Sequence, residues 1–429
     1  MAGEFPTVAL GDVAVARSGF AFKSSDWTAS GVPVVKIANV KDGRLVMDGC
    51  SFVSPEVAAT AAEFGLVAGD ILIAMTGYIG DVALVRPSDL PAVLNQRVGR
   101  FSIRDKRHLE RRFLFYLLRS PEIRAAIEGL GYGSAQPNVS PSLIHGVEIP
   151  LPRPPEQRAI AHILGALDDK IELNRRMNET LEAIARALFK SWFVDFDPVR
   201  AKVEGRDTGL PAELADLFPS EFEDSELREI PKGWRVCGLD EVATFRNGLA
   251  LQNYPPAGDE SLPVLKIAQL RSGTSDGADR AAANIPSDCV VNDGDVLFSW
   301  SGSLIVDLWC GGQGALNQHL FKVTSEDFPK WFYYLWTKHH LNGFQDIAAD
   351  KATTMGHIQR KHLGEAKVCV PSARLLKALD ERCAPLIESA ILARLESRTL
   401  TALRDTLLPK LLSGEIRVGA GAKTMPEAV

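Results

Sequence analysis

The sequence predicts an α+β protein: two similar mixed α/β domains, separated by two long antiparallel coiled-coil helices in a pseudo-twofold repeat. Three observations support this fold class. Short motifs of the first half recur in the same order in the second half. Each half ends in a long run of helix-forming residues at heptad spacing. Short apolar, β-branched segments bounded by turn residues come before each of these runs.

The repeat consists of five motif pairs that keep their order along the chain. The pairs are Phe5, Leu10, Val13 and Ala14 with Trp234, Leu239, Val242 and Ala243; PVVKIA (33–38) with PVLKIA (263–268); GDILI (69–73) with GDVLF (294–298); LNQR (94–97) with LNQH (316–319); and VEIP (147–150) with VCVP (368–371). Any single match is weak. Five in the same order indicate two copies of one unit, a globular domain followed by a long helix.

The first long helix is predicted over 154–194. Its seam positions recur at alternating steps of four and three, the pattern of a helix that packs lengthwise on another helix. They are Leu167, Ile171, Asn174, Asn178, Leu181, Ala185, Leu188 and Trp192. A helix of this length is a rod of about 60 Å, which no compact core needs, so it is interpreted as a spacer.

Its partner is predicted over 372–414, with Leu386, Leu400, Leu407 and Leu411 as packing positions. Pro385 is expected to kink this helix or to mark its true start, and Pro409 to disturb its last turn, because proline has no amide hydrogen for the helix ladder. The alternative is two ordinary amphipathic helices that lie in separate cores.

These helices divide the rest of the chain into a first domain (1–153), an acidic linker (195–231), a second domain (232–371) and a disordered tail (415–429). The linker concentrates negative charge. Nine Asp or Glu and two Arg lie between Glu204 and Glu229, and nine minus two gives an excess of about seven negative charges, which alone accounts for the net charge of −6. A local basic excess lies between Ala92 and Arg124. The overall acidity therefore does not exclude a nucleic-acid partner.

Composition predicts an ordinary cytoplasmic protein, with 46% hydrophobic and 24% charged residues. No signal peptide and no apolar run long enough for a membrane span are indicated. The six cysteines are scattered and are predicted to be reduced thiols. No P-loop, H-E-x-x-H, G-x-S-x-G or zinc spacing occurs, so no catalytic residue and no metal ligand is predicted.

Four segments carry a resemblance to a known family: IPLPRPPEQRAIAHIL (149–164), WFVDFDPVRAK (192–202), IPKGWRVCGLDEVA (230–243) and TLLPKLLSGEI (406–416). Together they resemble the DNA-specificity subunit of type I restriction-modification enzymes, over about Leu10 to Val418. GSAQPNVS (133–140) and KATTMGHI (351–358) look like the recurrent loop of that family.

The resemblance implies two target-recognition domains, each of which reads one half of a bipartite, asymmetric site in double-stranded DNA, with the long helices setting the distance between them. It also implies docking of two methyltransferase (modification) subunits and two restriction (helicase–nuclease) subunits. The subunit itself is then not an enzyme and binds no cofactor. S-adenosylmethionine, ATP and Mg²⁺ belong to the partners, and adenine is the implied methylation target.

If the two half-sites differ, base-reading residues must differ between the domains, whereas shared residues such as Leu94-Asn95-Gln96 and Leu316-Asn317-Gln318 are scaffold. Arginine suits guanine, asparagine and glutamine suit adenine, and serine and threonine suit phosphate. The candidate DNA-binding residues are Arg17, Lys23, Thr76, Tyr78, Arg97, Gln136 and Asn138 in the first domain, and Arg246, Gln252, Trp300, Ser303, His319, Thr353, Thr354 and His357 in the second. For each of them an ordinary surface role is the alternative.

Two rival functions remain open at this point. One is a stand-alone DNA-modifying enzyme, which the glycine-rich stretches Gly129–Ser134 and Gly311–Gly314 support only weakly, because neither lies in a convincing strand–loop–helix. The other is a coiled-coil scaffolding adaptor that does not bind DNA.

Overall fold

A computed structural model describes residues 5–131, 138–256, 260–350 and 356–418. The chain forms two compact units. Unit 1 comprises 1–170 with 400–429, and unit 2 comprises 171–399. The two long helices therefore each contribute to both units, which the predicted domain boundaries did not anticipate.

The elements of the first half alternate short strands with short helices. The strands are β1 Thr7–Ala9, β2 Ala14–Ser18, β3 Trp27–Thr28, β4 Val32–Val35, β5 Val40–Lys41, β6 Arg44–Leu45, β7 Ser51–Val53, β8 Ile71–Ala74, β9 Val82–Leu84, β10 Val93–Leu94, β11 Val98–Ile103 and β12 Glu148–Pro150. The helices are α1 Leu10–Val13, α2 Pro55–Thr60, α3 Arg111–Arg119, α4 Pro121–Gly129, α5 Pro141–His145 and α6 Pro154–Phe189.

The second half repeats this alternation. Its strands are β13 Phe222–Glu223, β14 Ile230–Pro231, β15 Arg235–Gly238, β16 Thr244–Asn247, β17 Ser261–Leu265, β18 Arg280–Ala282, β19 Val290–Val291, β20 Val296–Ser299, β21 Val306–Leu308, β22 Gly314–Leu316, β23 Leu320–Thr324 and β24 Lys367–Val370. Its helices are α7 Asp197–Val203, α8 Ala212–Ala215, α9 Leu239–Val242, α10 Ile267–Ser272, α11 Lys330–Asp350, α12 Arg360–Glu365 and α13 Ala373–Ser413.

Sheet topology confirms the predicted repeat. The antiparallel sheet β2-β11-β8-β9 of unit 1 has the same strand order as β16-β23-β20-β21 of unit 2. The parallel pair β4 and β10 corresponds to β17 and β22, and the antiparallel pair β1 and β12 corresponds to β15 and β24. The main sheet and these two strand pairs are thus repeated in the two halves, whereas the sheets that contain β4 and β17 order their other strands differently.

The Gly-Asp motif that precedes β8 and β20 has a physical reason. Gly69 and Gly294 adopt φ values of +86° and +85°, a region that favours glycine. The following aspartates close the turn, because Asp70 accepts a hydrogen bond from the backbone N–H of Val67 (3.0 Å) and Asp295 one from Asn292 (2.8 Å). All four residues of each strand after this turn are buried.

The first long helix, α6, runs for 36 residues and continues into a π-helical turn over Lys190–Val194. The second, α13, is continuous for 41 residues. A start of the helix at Pro385 is therefore wrong. Pro385 is exposed, so the backbone carbonyl that it leaves unpaired can bond to water, while Cys383 and Ile387 beside it are buried in the core of unit 2.

In unit 1 the two helices run antiparallel. Glu156 near the start of α6 pairs with Arg417 just beyond the end of α13 (2.8 Å), and Asp168 farther along α6 pairs with Arg404 (2.7 Å). The core formed there combines both helices with α3 and the antiparallel sheet β2-β11-β8-β9, the main sheet of unit 1. Its helix residues include Ile160, Leu164, Phe113, Leu117, Leu408, Leu411 and Leu412. Of the tail predicted to be disordered, the residues beyond Val418 lie outside the described residues.

In unit 2 the segment predicted as an acidic linker packs into the core. It carries α7, α8, β13 and β14, and its apolar side chains Phe196, Val199, Phe218 and Ile230 are buried. They join Phe193 of the π-helical turn and Trp331 of α11 in one cluster. The acidic residues of the segment are mostly exposed, so the segment is an amphipathic part of unit 2 rather than an open tether.

A charged network lies between α6, α11 and α13 in unit 2. The Glu182 carboxylate is 3.1 Å from Lys338 and also pairs with Arg394, whose guanidinium is 3.0 Å from Asp307. Burial alone would raise the pKa of the Glu182 carboxyl, but the charges of Lys338 and Arg394 outweigh it and lower that pKa below its ordinary value. Burial raises the pKa of Tyr334, whose hydroxyl contacts Lys338, to about 12.

Glu182→Gln should lower the free energy of unfolding of unit 2 by about 2–3 kcal/mol at pH 7, because two partly buried cations lose their common carboxylate. A carboxyl whose folded pKa is lowered stabilises fully above its unfolded pKa, and this contribution is lost as the pH falls through the folded value. The difference from the parent chain should therefore shrink below about pH 4. Thermal unfolding between pH 3 and pH 7 measures both effects.

The matched control is Glu179→Gln, one turn away on α6, where the side chain is 63% exposed and pairs only with Arg175. This change should alter stability by less than about 0.5 kcal/mol. Equal losses for the two variants would contradict the assignment of the network.

Candidate nucleic-acid interface

The candidate residues of unit 1 gather at one edge of its main sheet. Strand β2 ends at Ser18 opposite Gly99, and β8 ends at Ala74 opposite Val98, where β11 begins. The loops that follow β2 and β8 and the turn that precedes β11 therefore meet at this edge. The segment before α5 joins them, because the backbone N–H of Val139 donates to the carbonyl of Met75 (2.9 Å).

Unit 2 builds the same edge from the same backbone contacts. Strand β16 ends at Asn247 opposite Phe321, and β20 ends at Ser299 opposite Leu320, where β23 begins. The backbone N–H of Ile358 donates to the carbonyl of Trp300 (3.0 Å), as that of Val139 does in unit 1. The two recurrent loops found in the sequence are thus attached at equivalent places, although residues 132–137 and 351–355 lie outside the described residues.

In unit 1 the edge brings Thr76, Arg97 and Asn138 together. The Thr76 hydroxyl donates to the side-chain oxygen of Asn138 (2.8 Å), and the backbone N–H of Met75 donates to the carbonyl of Arg97 (3.1 Å). Arg97 and Asn138 are exposed. Because the Asn138 oxygen is engaged, this edge presents an amide N–H₂ group and a guanidinium, both of them hydrogen-bond donors.

In unit 2 the corresponding edge is aromatic. The Trp300 indole N–H donates to the carbonyl of Gln318 (3.1 Å), and its ring centroid lies 5.9 Å from that of His319 and 6.3 Å from that of His357. The Ser301 hydroxyl is 2.9 Å from Nδ1 of His319. This edge therefore offers imidazole groups where unit 1 offers a guanidinium and an amide, whereas Ser301 itself is buried.

The remaining candidates lie near these edges or outside the described residues. Arg17 and Arg246 are exposed on β2 and β16, and Arg246 is paired with Asp288 at 2.8 Å. Lys23 and Gln252 are exposed at short 3₁₀ turns. Tyr78 and Ser303 are exposed on the turns that follow β8 and β20. Gln136, Thr353 and Thr354 lie outside the described residues.

Sequence reasoning placed Trp300 opposite Thr76, and the structure corrects this register by one residue. The isolated bridges pair Thr76 with Asn138 and Ser301 with His357, so Ser301 is the counterpart of Thr76 and Trp300 that of Met75. Ser301 was therefore missed as the counterpart of Thr76. The signal was available, because the offset between the two Gly-Asp motifs leads from Thr76 to Ser301.

The shared Asn residues close the turns that lead into β11 and β23. The side-chain oxygen of Asn95 accepts from the backbone N–H of Arg97, and that of Asn317 accepts from His319, both at 3.2 Å. Just across the edge, a Cβ added to Gly19 would lie 2.4 Å from the Leu94 carbonyl oxygen, and Gly248 is in the same position against Asn317. These shared residues hold the backbone that displays Arg97 and His319.

The predicted helix-pairing residues are all at least half-buried. Leu167, Ile171, Leu181 and Leu400 are half-buried; Leu188 and Leu386 pack against the core of unit 2, and Trp192 lies within it; Leu407 packs against the core of unit 1, and Leu411 lies within it. The buried amide of Asn174 donates to Glu396 (2.8 Å) and to the carbonyl of Ala393 (3.4 Å).

The basic run of unit 1 is mostly engaged inside the unit. Arg100, Arg112, Arg119 and Arg124 pair with Asp70, Asp169, Asp168 and Asp81, in that order.

Within the described ranges, no helix is both long and apolar enough to cross a membrane. The same residues contain no group of three or more His, Cys, Asp or Glu that is arranged to hold a metal ion.

Comparison with known proteins agrees with this architecture. Residues 3–183 match the family described as "Type I restriction modification DNA specificity domain". Over these residues the chain carries the DNA specificity domain of type I restriction-modification enzymes. Two relatives are the type I restriction enzyme MjaIX specificity subunit of Methanocaldococcus jannaschii, 28% identical over 82% of this chain and 78% of the relative, and the HindI specificity subunit of Haemophilus influenzae, 26% identical over 71% and 77%.

The fold of the chain is shared with a solved structure. The crystal structure of the S subunit of a type I restriction-modification system from M. genitalium superposes with a TM-score of 0.56 at 17% sequence identity, over 95% of this chain and 96% of that one. The relatives are named as specificity subunits, not as modification or restriction subunits.

Asn317→Ala should lower the free energy of unfolding of unit 2 by about 1 kcal/mol, because the backbone N–H of His319 loses its acceptor at a site where Asn317 is 8% exposed. Thermal unfolding followed by circular dichroism measures the change. The control is Gln252→Ala on an exposed turn, which should stay within about 0.5 kcal/mol of the parent chain. An unchanged Asn317→Ala variant would show that the turn does not need this acceptor.

Proposed function

We propose that the chain reads a bipartite, asymmetric site in double-stranded DNA, with the loop edge of unit 1 on one half-site and that of unit 2 on the other. The observation that carries the proposal is the duplicated edge. Both units hold it with the same strand order and the same backbone hydrogen bonds, yet they display different side chains from it. A reader of two different half-sites needs this combination of a common scaffold and unlike contact groups.

The side chains at the edges have the chemistry of base readers. In unit 1, Arg97 and the amide of Asn138 are donors that suit a guanine and the acceptors of an adenine. In unit 2, the imidazoles of His319 and His357 can donate or accept, and Trp300 adds an apolar face. Arg17 and Lys23 in unit 1, and Arg246 and Gln252 in unit 2, are proposed to contact phosphates or neighbouring bases.

The chain is proposed to act within a larger complex. Two methyltransferase (modification) subunits and two restriction subunits are its proposed partners, and they supply methylation and ATP-dependent cleavage with S-adenosylmethionine, ATP and Mg²⁺. The net charge of −6 predicts weak and salt-sensitive DNA binding by the chain alone. Affinity should rise when the modification subunits close around the duplex.

The test compares Arg97→Ala with His319→Ala, since these residues occupy equivalent turns. Methylome sequencing first gives the site. The affinity of each complex with modification subunits is then measured by fluorescence anisotropy on the full site and on duplexes with one half-site scrambled. Each variant should weaken binding to the full site about 5- to 150-fold, the range of one good base contact.

The scrambled duplexes assign each residue to a half-site through a thermodynamic cycle. The penalty of Arg97→Ala should vanish when the half-site of unit 1 is scrambled and persist when the other is. His319→Ala should show the opposite dependence. Penalties that are independent of which half is scrambled would refute the division of labour. An absence of site-specific binding by the parent complex would favour a scaffolding role instead.

A further inference from the structure

The turn between β8 and β9 displays one large aromatic side chain to solvent. Tyr78 is 59% exposed, whereas its neighbour Ile79 is buried in the core of unit 1. A single exposed aromatic residue needs no explanation by itself. The rigidity of this turn, its place at the interface and its counterpart in unit 2 set Tyr78 apart.

The turn is fixed on both sides of Tyr78. The backbone N–H of Tyr78 donates to the carbonyl of Thr76 (2.9 Å), and its own carbonyl accepts from Asp81 (3.1 Å). Gly77 and Gly80 adopt φ values of +73° and +87°, which glycine tolerates and other residues rarely do. The side chain of Asp81 is anchored to Arg124 of α4 at 2.7 Å.

The same turn lies at the candidate interface. Thr76 at its start donates to Asn138, and Met75 before it is bonded to Arg97 through the backbone. Tyr78 therefore lies two residues after Thr76, which bonds directly to Asn138 at the candidate interface. An aromatic ring held there loses little conformational freedom on binding, because the backbone is already ordered.

Unit 2 repeats the turn without the ring. Gly302 matches Gly77 with a φ of +65°, and Leu304 matches Ile79 as a buried residue. The residue that corresponds to Tyr78 is Ser303, which is exposed. The two turns thus begin alike, but the turn of unit 2 is one residue shorter, because the backbone N–H of Ser299 donates to Ile305 whereas that of Ala74 donates to Asp81. At the position of Tyr78 the turn of unit 2 carries no aromatic side chain.

We propose that Tyr78 inserts its ring into the base stack of the half-site read by unit 1, and that unit 2 makes no such insertion. The inference rests on the proposed function. Every base has a π-face, so stacking on an aromatic ring adds affinity largely without regard to sequence. Wedges of this kind unstack one base step and bend the duplex. The bound DNA is then distorted locally in one half-site only.

The experiment places 2-aminopurine, whose fluorescence responds to stacking, at successive positions of both half-sites. The parent chain in complex with its modification subunits should change the fluorescence at one or two adjacent positions of the half-site of unit 1. Tyr78→Ala should abolish this change and weaken binding about 5- to 150-fold, the range of one stacked base. Tyr78→Phe should preserve both the signal and the affinity, because the ring is retained.

Two controls keep the result specific. Val67→Ala removes another exposed apolar side chain of unit 1, 58% exposed and located before β8, at the opposite end of that strand from Tyr78. It should bind like the parent chain. Methyltransferases flip their target base out of the duplex, so a signal at the methylated position should survive Tyr78→Ala.

Several outcomes would overturn the inference while leaving the proposed function intact. They are a Tyr78→Phe variant as weak as Tyr78→Ala, which would show a contact through the hydroxyl; a signal unchanged by Tyr78→Ala; no signal in the half-site of unit 1; or equivalent signals in both half-sites. Failure of the parent complex to bind any site specifically would instead overturn the proposed function, and this inference with it.

Discussion

Each unit completes its hydrophobic core with a helical stretch from the opposite half of the chain. Unit 1 contains Leu408 and Leu411 of α13, and unit 2 contains Phe189 of α6 and Phe193 beyond it. Each fully buried side chain of this size stabilises by about 1.5–3 kcal/mol. Neither globular half therefore has a finished core of its own. This dependence explains why helices that begin as the end of one repeat continue as part of the other.

Charge is sorted between the two helices in a way that favours their pairing with each other. In unit 1 the acid is Asp168 of α6 and the base is Arg404 of α13; in unit 2 the acid is Glu182 of α6 and the base is Arg394 of α13. Two copies of α6 placed together would bring like charges into partly buried positions, which is unfavourable. Heptad spacing packs the apolar seams of two helices together but does not specify which helices pair. These ion pairs favour the pairing of α6 with α13.

The sequence predicted those features that repeat or have a regular period. The duplicated strand order and the seam of α6 were found because five ordered motifs and a long heptad pattern are hard to produce by chance. The acidic segment was misjudged because its charge hides Phe196, Val199 and Phe218, which are apolar but not periodic, so only the folded core shows their burial. The helix through Pro385 was doubted because local propensity does not include the packing of Cys383 and Ile387.

The comparison of the two copies named residues that the structure brings to the loop edge, such as Thr76, Arg97 and Asn138, but not the interactions among them. The candidates came from comparing the two copies, and the one-residue error at Trp300 was avoidable, because the offset between the two Gly-Asp motifs leads from Thr76 to Ser301. Which side chains bond to each other could not be predicted, since Thr76 and Ser301 hold the same place yet choose different partners. Thr76 bonds to Asn138 of the recurrent loop, whereas Ser301 bonds to His319 of the neighbouring turn.

That difference shows how one scaffold can carry two different sets of side-chain hydrogen bonds. Asn95 and Asn317 accept a hydrogen bond from the backbone of the residue two positions later, and they hold that residue in the same backbone position. When that residue is Arg97, its guanidinium has no lone pair to accept the nearby hydroxyl, and Thr76 donates to the loop instead. When it is His319, the imidazole nitrogen can share a hydrogen with Ser301. A single side chain therefore decides where the hydroxyl bonds, while the backbone hydrogen bonds of the edge stay the same.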